Sequence, residues 1–199
     1  MSKGRLFILS GPSGSGKDTI LGGVFQRLPE VRFSISCVSR PMRPGEQEGD
    51  KYHFVSREEF EQMIAEDGLL EHNCYVGNYY GTPKKPVEEA IRDGADMIVE
   101  IDVNGADQIR AKTENTVSIF ILPPSVAVLR ERLINRGSES PDKVEQRMKE
   151  ALVEISRASD YDYIVVNDRL EDAIDDVVRI IEADRLSKER FDFANYGND

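Results

Sequence analysis

The stretch Gly11-Pro12-Ser13-Gly14-Ser15-Gly16-Lys17-Asp18-Thr19 lies between the apolar run Leu6-Phe7-Ile8-Leu9 and an amphipathic segment from Ile20 to Leu28. This order predicts a strand, a glycine-rich turn and a helix. Gly11, Gly16 and Lys17 have the spacing G-x-x-x-x-G-K of a phosphate-binding loop, whose backbone N–H groups line a concavity for nucleotide phosphates. Glycine-rich turns before helices are common, but the lysine, the spacing and the preceding strand together favour a nucleotide site. We therefore predict that residues 11–19 bind nucleotide phosphates and that Lys17 reaches the transferred group.

Asp18 departs from this loop pattern, which has Ser or Thr at that position. The hydroxyl of the usual residue holds Mg²⁺, and a carboxylate is also a hard oxygen donor. We therefore predict that Asp18 ligates Mg²⁺, directly or through water, and that its charge weakens nucleotide binding when metal is absent. The alternative is that Asp18 only caps the start of the helix.

Length and composition limit the class of protein. The chain has 199 residues and a net charge of −11, which predicts one α/β domain with insertions and argues against a broad nucleic-acid surface. No apolar run approaches the ~20 residues of a membrane helix, and the N-terminus does not resemble a signal peptide. We expect a cytoplasmic protein with two reduced packing cysteines, Cys37 and Cys74. The sequence allows a homodimer.

Alternating strand and helix patterns follow the loop. We predict a second strand from Val31 to Val38, an irregular segment over residues 39–56, and a hairpin of Leu69–Tyr75 and Asn78–Gly81. A capping box at Ser56-Arg57-Glu58-Glu59 predicts a short helix before that hairpin. The next helix is predicted to begin with Thr82 as its cap.

The second half of the chain continues the alternation. Met97 to Asp102 predicts an apolar strand that ends in acid, and Val117 to Leu122 a buried parallel strand. A helix from Val126, a long helix opened by Pro141, a last strand at Tyr163–Val166 and a closing helix from Leu170 complete the pattern. The fold class is therefore α/β, with a parallel sheet and helices on both faces.

Residues suited to a nucleoside monophosphate lie between the second strand and the helix at residue 82. Guanidinium groups and phenols bind phosphate, whereas a carboxylate and a hydroxyl read the edge of a base. The candidates for these roles are Arg40, Arg43, Tyr52, Tyr80, Glu71 and Thr82. Each alone has a plainer explanation, such as strand packing or a solvated surface.

The order of several further motifs resembles guanylate kinase over about residues 4 to 186. Besides the loop, the matching segments are Ser39-Arg40-Pro41-Met42-Arg43-Pro44-Gly45-Glu46, Tyr52-His53-Phe54-Val55-Ser56, Gly77-Asn78-Tyr79-Tyr80-Gly81-Thr82, Ile101-Asp102-Val103-Asn104-Gly105 and Ile164-Val165-Val166-Asn167-Asp168. The resemblance implies transfer of the γ-phosphoryl group of ATP to GMP with Mg²⁺. It also implies a P-loop core of residues 1–36, 84–136 and 150–199, a GMP-binding insertion of residues 37–83, and a short helical lid of residues 137–149.

The same resemblance implies roles for single residues. The GMP phosphate would be held by Ser36, Arg40, Arg43, Tyr52 and Tyr80, and guanine would be read by Glu71, Thr82 and Asp102, with Gly81 beside them. From the lid side, Arg132, Arg136 and Arg147 would close over the phosphates, Asn167 would lie by the adenine, and residues 11–19 would bind ATP. The catalytic set would be Lys17, Arg43, Arg132, Arg136 and Arg147.

Three positions depart from that family. Asp18 replaces a hydroxyl residue, Ser39 stands where Thr is usual, and His72 stands where Trp is frequent. Asp in the loop also resembles ribose bisphosphate kinases of related fold, but those should lack the guanine-reading residues. A non-catalytic guanylate-kinase-like interaction module is the other alternative, and the presence of Lys17 and the lid arginines argues against it.

Overall fold

The phosphate loop follows the central strand of a five-stranded parallel sheet in a computed structural model, which describes residues 4–135 and 141–191. This sheet has the order β2-β7-β1-β8-β9, and a second, four-stranded sheet has the order β4-β3-β6-β5. The strands are β1 (Leu6–Ser10), β2 (Arg32–Phe33), β3 (Ser36–Val38), β4 (Tyr52–Phe54), β5 (Leu69–Tyr75), β6 (Asn78–Pro83), β7 (Met97–Glu100), β8 (Thr116–Leu122) and β9 (Tyr163–Val166). The helices are α1 (Lys17–Arg27), α2 (Arg57–Ala65), α3 (Lys84–Arg92), α4 (Val103–Lys112), α5 (Val126–Asn135), α6 (Pro141–Ser156) and α7 (Leu170–Arg185), with short 3₁₀ turns at Ala158–Asp160 and Lys188–Arg190.

Strand β1 is buried on both faces, which explains why its sequence is continuously apolar. Because successive side chains of a strand point to opposite faces, Phe7 and Leu9 pack with residues of α1 and α7. Leu6 and Ile8 face the other way and pack with residues of α3 and α4. The predicted α/β class, with helices on both faces of a parallel sheet, is confirmed.

The second sheet carries most of the predicted monophosphate site. Strands β5 and β6 form the predicted antiparallel hairpin, and β6 pairs with β3, which pairs in parallel with β4. Helix α2 begins with the predicted capping box, since Ser56 and Glu59 exchange hydrogen bonds. Phe60 of α2 is fully buried and stacks on Tyr79 of the hairpin.

The predicted second strand is wrong in one respect, because residues 31–38 form two strands in different sheets. The N–H of Ser34 still donates to Ile98 of β7 at 2.9 Å, whereas the N–H of Ser36 donates to Lys51 at 3.2 Å. Alternation of side chains predicts an extended chain but does not say which strand it pairs with. The segment predicted as irregular, residues 39–56, also contains β4.

Three further features differ from the sequence prediction. Helix α3 has Pro83 at its N-cap, and Thr82 lies in β6 instead of capping the helix. Strand β7 ends at Glu100, two residues before Asp102, which is the N-cap of α4 and accepts a hydrogen bond from the N–H of Gly105. Cys37 is buried as expected, but Cys74 is exposed on β5 and is not a packing residue.

Helix α6 contains most of the segment that was predicted to be a lid. Its residues Val144, Met148 and Ala151 pack against Leu129 and Leu133 of α5. The start of the predicted lid, together with Arg136, lies outside the described residues. Within the part of the chain that the structure describes, no helix is long and apolar enough to cross a bilayer.

Candidate active site

A cavity of about 460 Å³ opens between the phosphate loop, the carboxyl end of β7, the second sheet and α6. Parallel α/β sheets bind ligands at this edge, because the loops that follow the strands meet there. Of the residues predicted from the sequence, the cavity is lined by Gly11, Ser13, Gly14, Gly16, Lys17, Asp18, Ser36, Tyr52, Glu71, Tyr80, Gly81, Asp102 and Arg147. Predicted residues that lie outside its lining are Pro12, Ser15, Thr19, Arg40, Arg43, Thr82, Arg132 and Asn167.

Two glycines of the loop are required by their surroundings. Gly16 has φ 94°, and a Cβ there would lie 2.3 Å from Nδ2 of Asn167. A Cβ at Gly11 would lie 2.4 Å from the carbonyl oxygen of Ile121. Lys17, the first residue of α1, donates from Nζ to the carbonyl oxygen of Gly11 at 2.7 Å. The loop therefore folds closely on the sheet, with its lysine over its own backbone.

Asn167 and Arg132 brace the loop from outside the cavity. The side-chain amide of Asn167 is buried and donates to the carbonyl oxygen of Ser15 at 2.8 Å. Arg132 donates to the carbonyl oxygen of Asn167 at 3.0 Å. Both residues thus support the loop backbone, a role that the sequence did not predict. Their predicted contacts with ATP stay predictions, as does that of the exposed Thr19.

Asp18 belongs to a cluster of charges beside the loop. Its carboxylate is paired with the ammonium of Lys51, which also lies 3.6 Å from Oε2 of Glu100. Lys17 lies 4.0 Å from Oε1 of Glu100. The N-cap of α1 is Gly16 and Asp18 lies in the first turn, so the structure does not support the alternative in which Asp18 only caps the helix.

The pKa values of the two carboxyls in this cluster move in opposite directions. Partial burial acts to raise the pKa of Asp18, but the hydrogen bond and charge of Lys51 outweigh it, and the pKa is lowered. Glu100 is more deeply buried, and its desolvation raises its pKa although Lys17 and Lys51 oppose this. Asp18 is therefore the carboxylate that stays ionised most readily. Nothing in the sequence indicated Lys51, whereas Glu100 is recognisable as the acid that ends a strand.

Arg40 is held by a carboxylate beside the predicted phosphate-binding tyrosines. Its guanidinium donates to both carboxylate oxygens of Glu46, at 2.7 and 2.6 Å, and to the hydroxyl of Tyr80 at 3.3 Å. It also lies 5.3 Å from the ring centroid of Tyr52. The hydrogen bonds from Arg40 lower the pKa of Glu46 to about 2. Arg43 is exposed, and its backbone N–H donates to the same glutamate.

A buried acid and its partners form the far end of the cavity. Glu71 is 5% exposed, and the hydroxyl of Thr82 donates to its Oε1 at 2.6 Å. Asp102 accepts from the N–H of Gly105 at 2.8 Å and from Nδ2 of Asn73 at 3.0 Å. Asn73 lines the cavity and was not predicted. Two carboxyl groups thus face the cavity side by side, each fixed by a hydrogen-bond donor.

Burial perturbs the more deeply placed of these acids. Desolvation raises the pKa of Glu71 from 4.5 to about 7, and the nearby charge of Asp102 adds to the rise, whereas the hydrogen bond from Thr82 opposes it. A carboxyl group in this state gains from any ligand that offers N–H donors, because such donors favour the ionised form.

Gly105 leaves the space that Glu71 occupies. A Cβ at this helical position would lie 2.8 Å from Oε2 of Glu71. We expect Gly105→Ala to displace the carboxylate and to weaken binding of the ligand that it contacts by about tenfold, although alanine favours a helix by about 1 kcal/mol. Calorimetric titration measures the affinity. Gly22→Ala in α1 is the matched control, since no atom lies within 4 Å of the added Cβ, and an equal effect of the two changes would contradict this role.

The sequence was compared with protein families and with known proteins. The family model described as "Guanylate kinase" matches residues 3–184. The chain belongs to the guanylate kinase family. It is 45% identical over 193 residues to the guanylate kinase of Carboxydothermus hydrogenoformans, in a match that covers 97% of this chain and 95% of the relative. The guanylate kinase of a Thermus thermophilus strain is 46% identical, in a match that covers 92% of this chain and 83% of the relative.

A solved structure gives the same result for the fold. The crystal structure of guanylate kinase from Anaplasma phagocytophilum superposes with a TM-score of 0.79 at 34% identity, covering 95% of this chain and 90% of that one. The resemblance inferred from the sequence motifs is therefore confirmed.

Proposed function

We propose that this protein transfers the γ-phosphoryl group of ATP to GMP, giving ADP and GDP. One observation carries the proposal: a phosphate loop and a pair of acids suited to guanine face one cavity. Guanine donates hydrogen bonds from N1–H and N2–H₂, and the carboxylates of Glu71 and Asp102, which line the cavity, can accept them. Because both groups line this cavity, the loop can hold the phosphates of ATP while the acids hold the base of GMP.

The side chains of this protein align the two nucleotides and place positive charge beside the transferred phosphoryl group. The phosphate of GMP is already an anionic nucleophile, so no general base is needed to form the new bond from its oxygen to the γ-phosphorus. Lys17 carries positive charge to the transferred group, and Arg40, Arg43, Tyr52 and Tyr80 hold the acceptor phosphate in line. Arg147 faces the cavity from α6 and, with Arg132 and Arg136, is proposed to complete the phosphate site.

The acids beside the loop fit a magnesium ion. Asp18 and Glu100 are hard oxygen donors that already share one cation, the ammonium of Lys51. Among residues 4–135 and 141–191, no group of three or more His, Cys, Asp or Glu side chains could hold a metal, so nucleotide oxygens and water would complete the coordination. When bound, the ion neutralises charge on the phosphates of ATP.

An acceptor screen tests the proposal. ADP release is measured in a coupled assay with GMP, AMP, UMP and ribose 1,5-bisphosphate, each with ATP and Mg²⁺. We expect turnover with GMP far above the others. Preference for ribose 1,5-bisphosphate would favour the related bisphosphate kinases, and the absence of ADP release with every acceptor would favour a non-catalytic protein-binding module.

We expect GMP binding to depend on pH through Glu71. Because the pKa of this carboxyl in the free protein is about 7, GMP affinity should fall by up to about tenfold per pH unit below that value, where the acid is neutral. Binding near pH 6 should release a proton. Calorimetry in two buffers of different ionisation enthalpy measures this release. Guanosine, which has no phosphate to titrate, is the comparison ligand, and binding without proton release would contradict the assignment.

The proposed setting is the cytoplasm, with small molecules as partners. We propose that ATP, GMP and Mg²⁺ bind in the cavity. The net charge of −11 argues against nucleic acid as a ligand. The homodimer that the sequence allows stays a prediction, which sedimentation of the purified chain tests.

A further inference from the structure

Lys51 lies where the predicted donor and acceptor sites meet. It comes one residue before Tyr52 of the acceptor group, and its carbonyl oxygen accepts from the N–H of Ser36, another predicted acceptor residue. Its ammonium points the other way, to Asp18 and Glu100 beside the phosphate loop. One side chain therefore joins the acceptor-binding sheet to the donor-binding loop across the cavity.

The charges around Lys51 balance only while the cavity holds no nucleotide. Asp18 and Glu100 are matched by Lys17 and Lys51, which leaves a cluster near neutrality. A triphosphate and a monophosphate add several negative charges at the same place. Opposite charges at contact distance attract strongly in a partly buried site, because the effective dielectric there is well below that of water. Cations at this junction are therefore drawn toward the phosphates, and the side chain of Lys51 is 44% exposed, so solvent and ligands can reach it.

We propose that Lys51 is a further catalytic residue, a cation that the acceptor-binding sheet places between the two nucleotides. It would contact the phosphates at the point where the γ-phosphoryl group of ATP meets the phosphate of GMP. Without nucleotide, this lysine pairs with Asp18, the acid that replaces the usual loop hydroxyl, and we expect it to exchange that partner for the phosphates. The proposal rests on the donor and acceptor assignments given above.

A ligand that spans both sites distinguishes this role from a simple ion pair between the segment before β4 and helix α1. An adenosine–guanosine dinucleotide joined by five phosphates covers the junction, whereas GMP alone covers only the acceptor side. Affinities for both are measured by calorimetry, with Mg²⁺ removed by EDTA so that binding to the protein groups alone is observed. Thermal unfolding of each variant is measured in parallel to report on the ion pair itself.

Lys51→Met should lower the affinity for the dinucleotide by about tenfold to hundredfold, the range expected when a charged hydrogen bond is lost. The affinity for GMP alone should fall by less than about threefold. Lys51→Arg should restore much of the dinucleotide affinity. Asp18→Asn should act in the opposite direction, leaving the dinucleotide affinity unchanged or higher, because it removes a negative charge near the phosphates. If the ion pair were purely structural, Lys51→Met and Asp18→Asn would lower the dinucleotide affinity by the same factor.

The matched control is Lys84→Met, which removes the same charge from an exposed pair with Asp67 at 2.7 Å, away from the cavity. It should change neither affinity. Equal weakening in Lys51→Met and Asp18→Asn, or no selective loss of the dinucleotide, would overturn the role of Lys51. If the unaltered protein binds the dinucleotide no better than GMP, the donor and acceptor assignments themselves fail, and the role of Lys51 fails with them.

Discussion

Lys17→Met is expected to lower turnover with ATP and GMP by at least about a hundredfold. The ammonium of Lys17 lies at the start of α1, over the backbone of the loop and 4.0 Å from Glu100. Because only 16% of the Lys17 side chain is exposed, water screens its charge weakly, and removing it should cost about 3 kcal/mol or more of transition-state stabilisation. Steady-state assays of ADP release with saturating nucleotides measure the effect.

The control for this change is Lys85→Met. Lys85 is an exposed lysine of α3 that pairs with Glu89 at 3.9 Å, so the substitution removes the same charge from a solvated helix face. Its turnover should match that of the unaltered protein. Both variants should unfold cooperatively at a temperature close to the unfolding temperature of the unaltered protein. A folded Lys17→Met protein with near-normal turnover would count against the phosphate loop as the donor site.

Glu71→Ala is expected to lower kcat/KM for GMP by about a hundredfold or more, with much less effect on ATP binding. The hydroxyl of Thr82 donates to one carboxylate oxygen of Glu71, and the carboxylate lines the cavity, where we expect it to accept from the N–H groups of guanine. Adenine instead offers an unprotonated N1 and a donor at N6, and buried polar groups left unpaired cost about 1–3 kcal/mol each. The unaltered protein should therefore prefer GMP to AMP by several orders of magnitude, and Glu71→Ala should reduce that ratio steeply.

Glu71→Gln separates recognition from stability. It keeps an oxygen that can accept from Thr82 but turns a donor toward guanine, so GMP use should again fall. Because the folded state raises the pKa of Glu71 from 4.5 to about 7, the carboxyl favours folding fully below pH 4.5 and loses that advantage as the pH rises through 7. At about pH 8, Glu71→Gln should therefore unfold at a temperature no lower than the unaltered protein. If the unaltered protein had comparable kcat/KM values for GMP and AMP, recognition of guanine by Glu71 and Asp102 would be excluded.

Local patterns in the sequence predicted much of this protein. The phosphate loop, the strands β1, β8 and β9, the capping box of α2 and the hairpin of β5 and β6 all follow from neighbouring residues. Such features depend on spacing along the chain, because glycine placement, side-chain periodicity and capping act within a few residues. The sequence also predicted an apolar strand from Met97 that ends in acid, and the carboxyl ends of parallel strands meet at the edge where the loop lies.

Pairings between distant residues were decided by the tertiary structure. The chain from Val31 to Val38 leaves one sheet for the other after Ser34, although its alternation is unbroken. Lys51 meets Asp18 across 33 positions and Asn167 meets Ser15 across 152, and neither pair has a local signature. Alternation and capping fix the conformation of a segment, whereas the partner of a side chain depends on how whole elements pack, which is set by burial of apolar faces contributed from the entire chain.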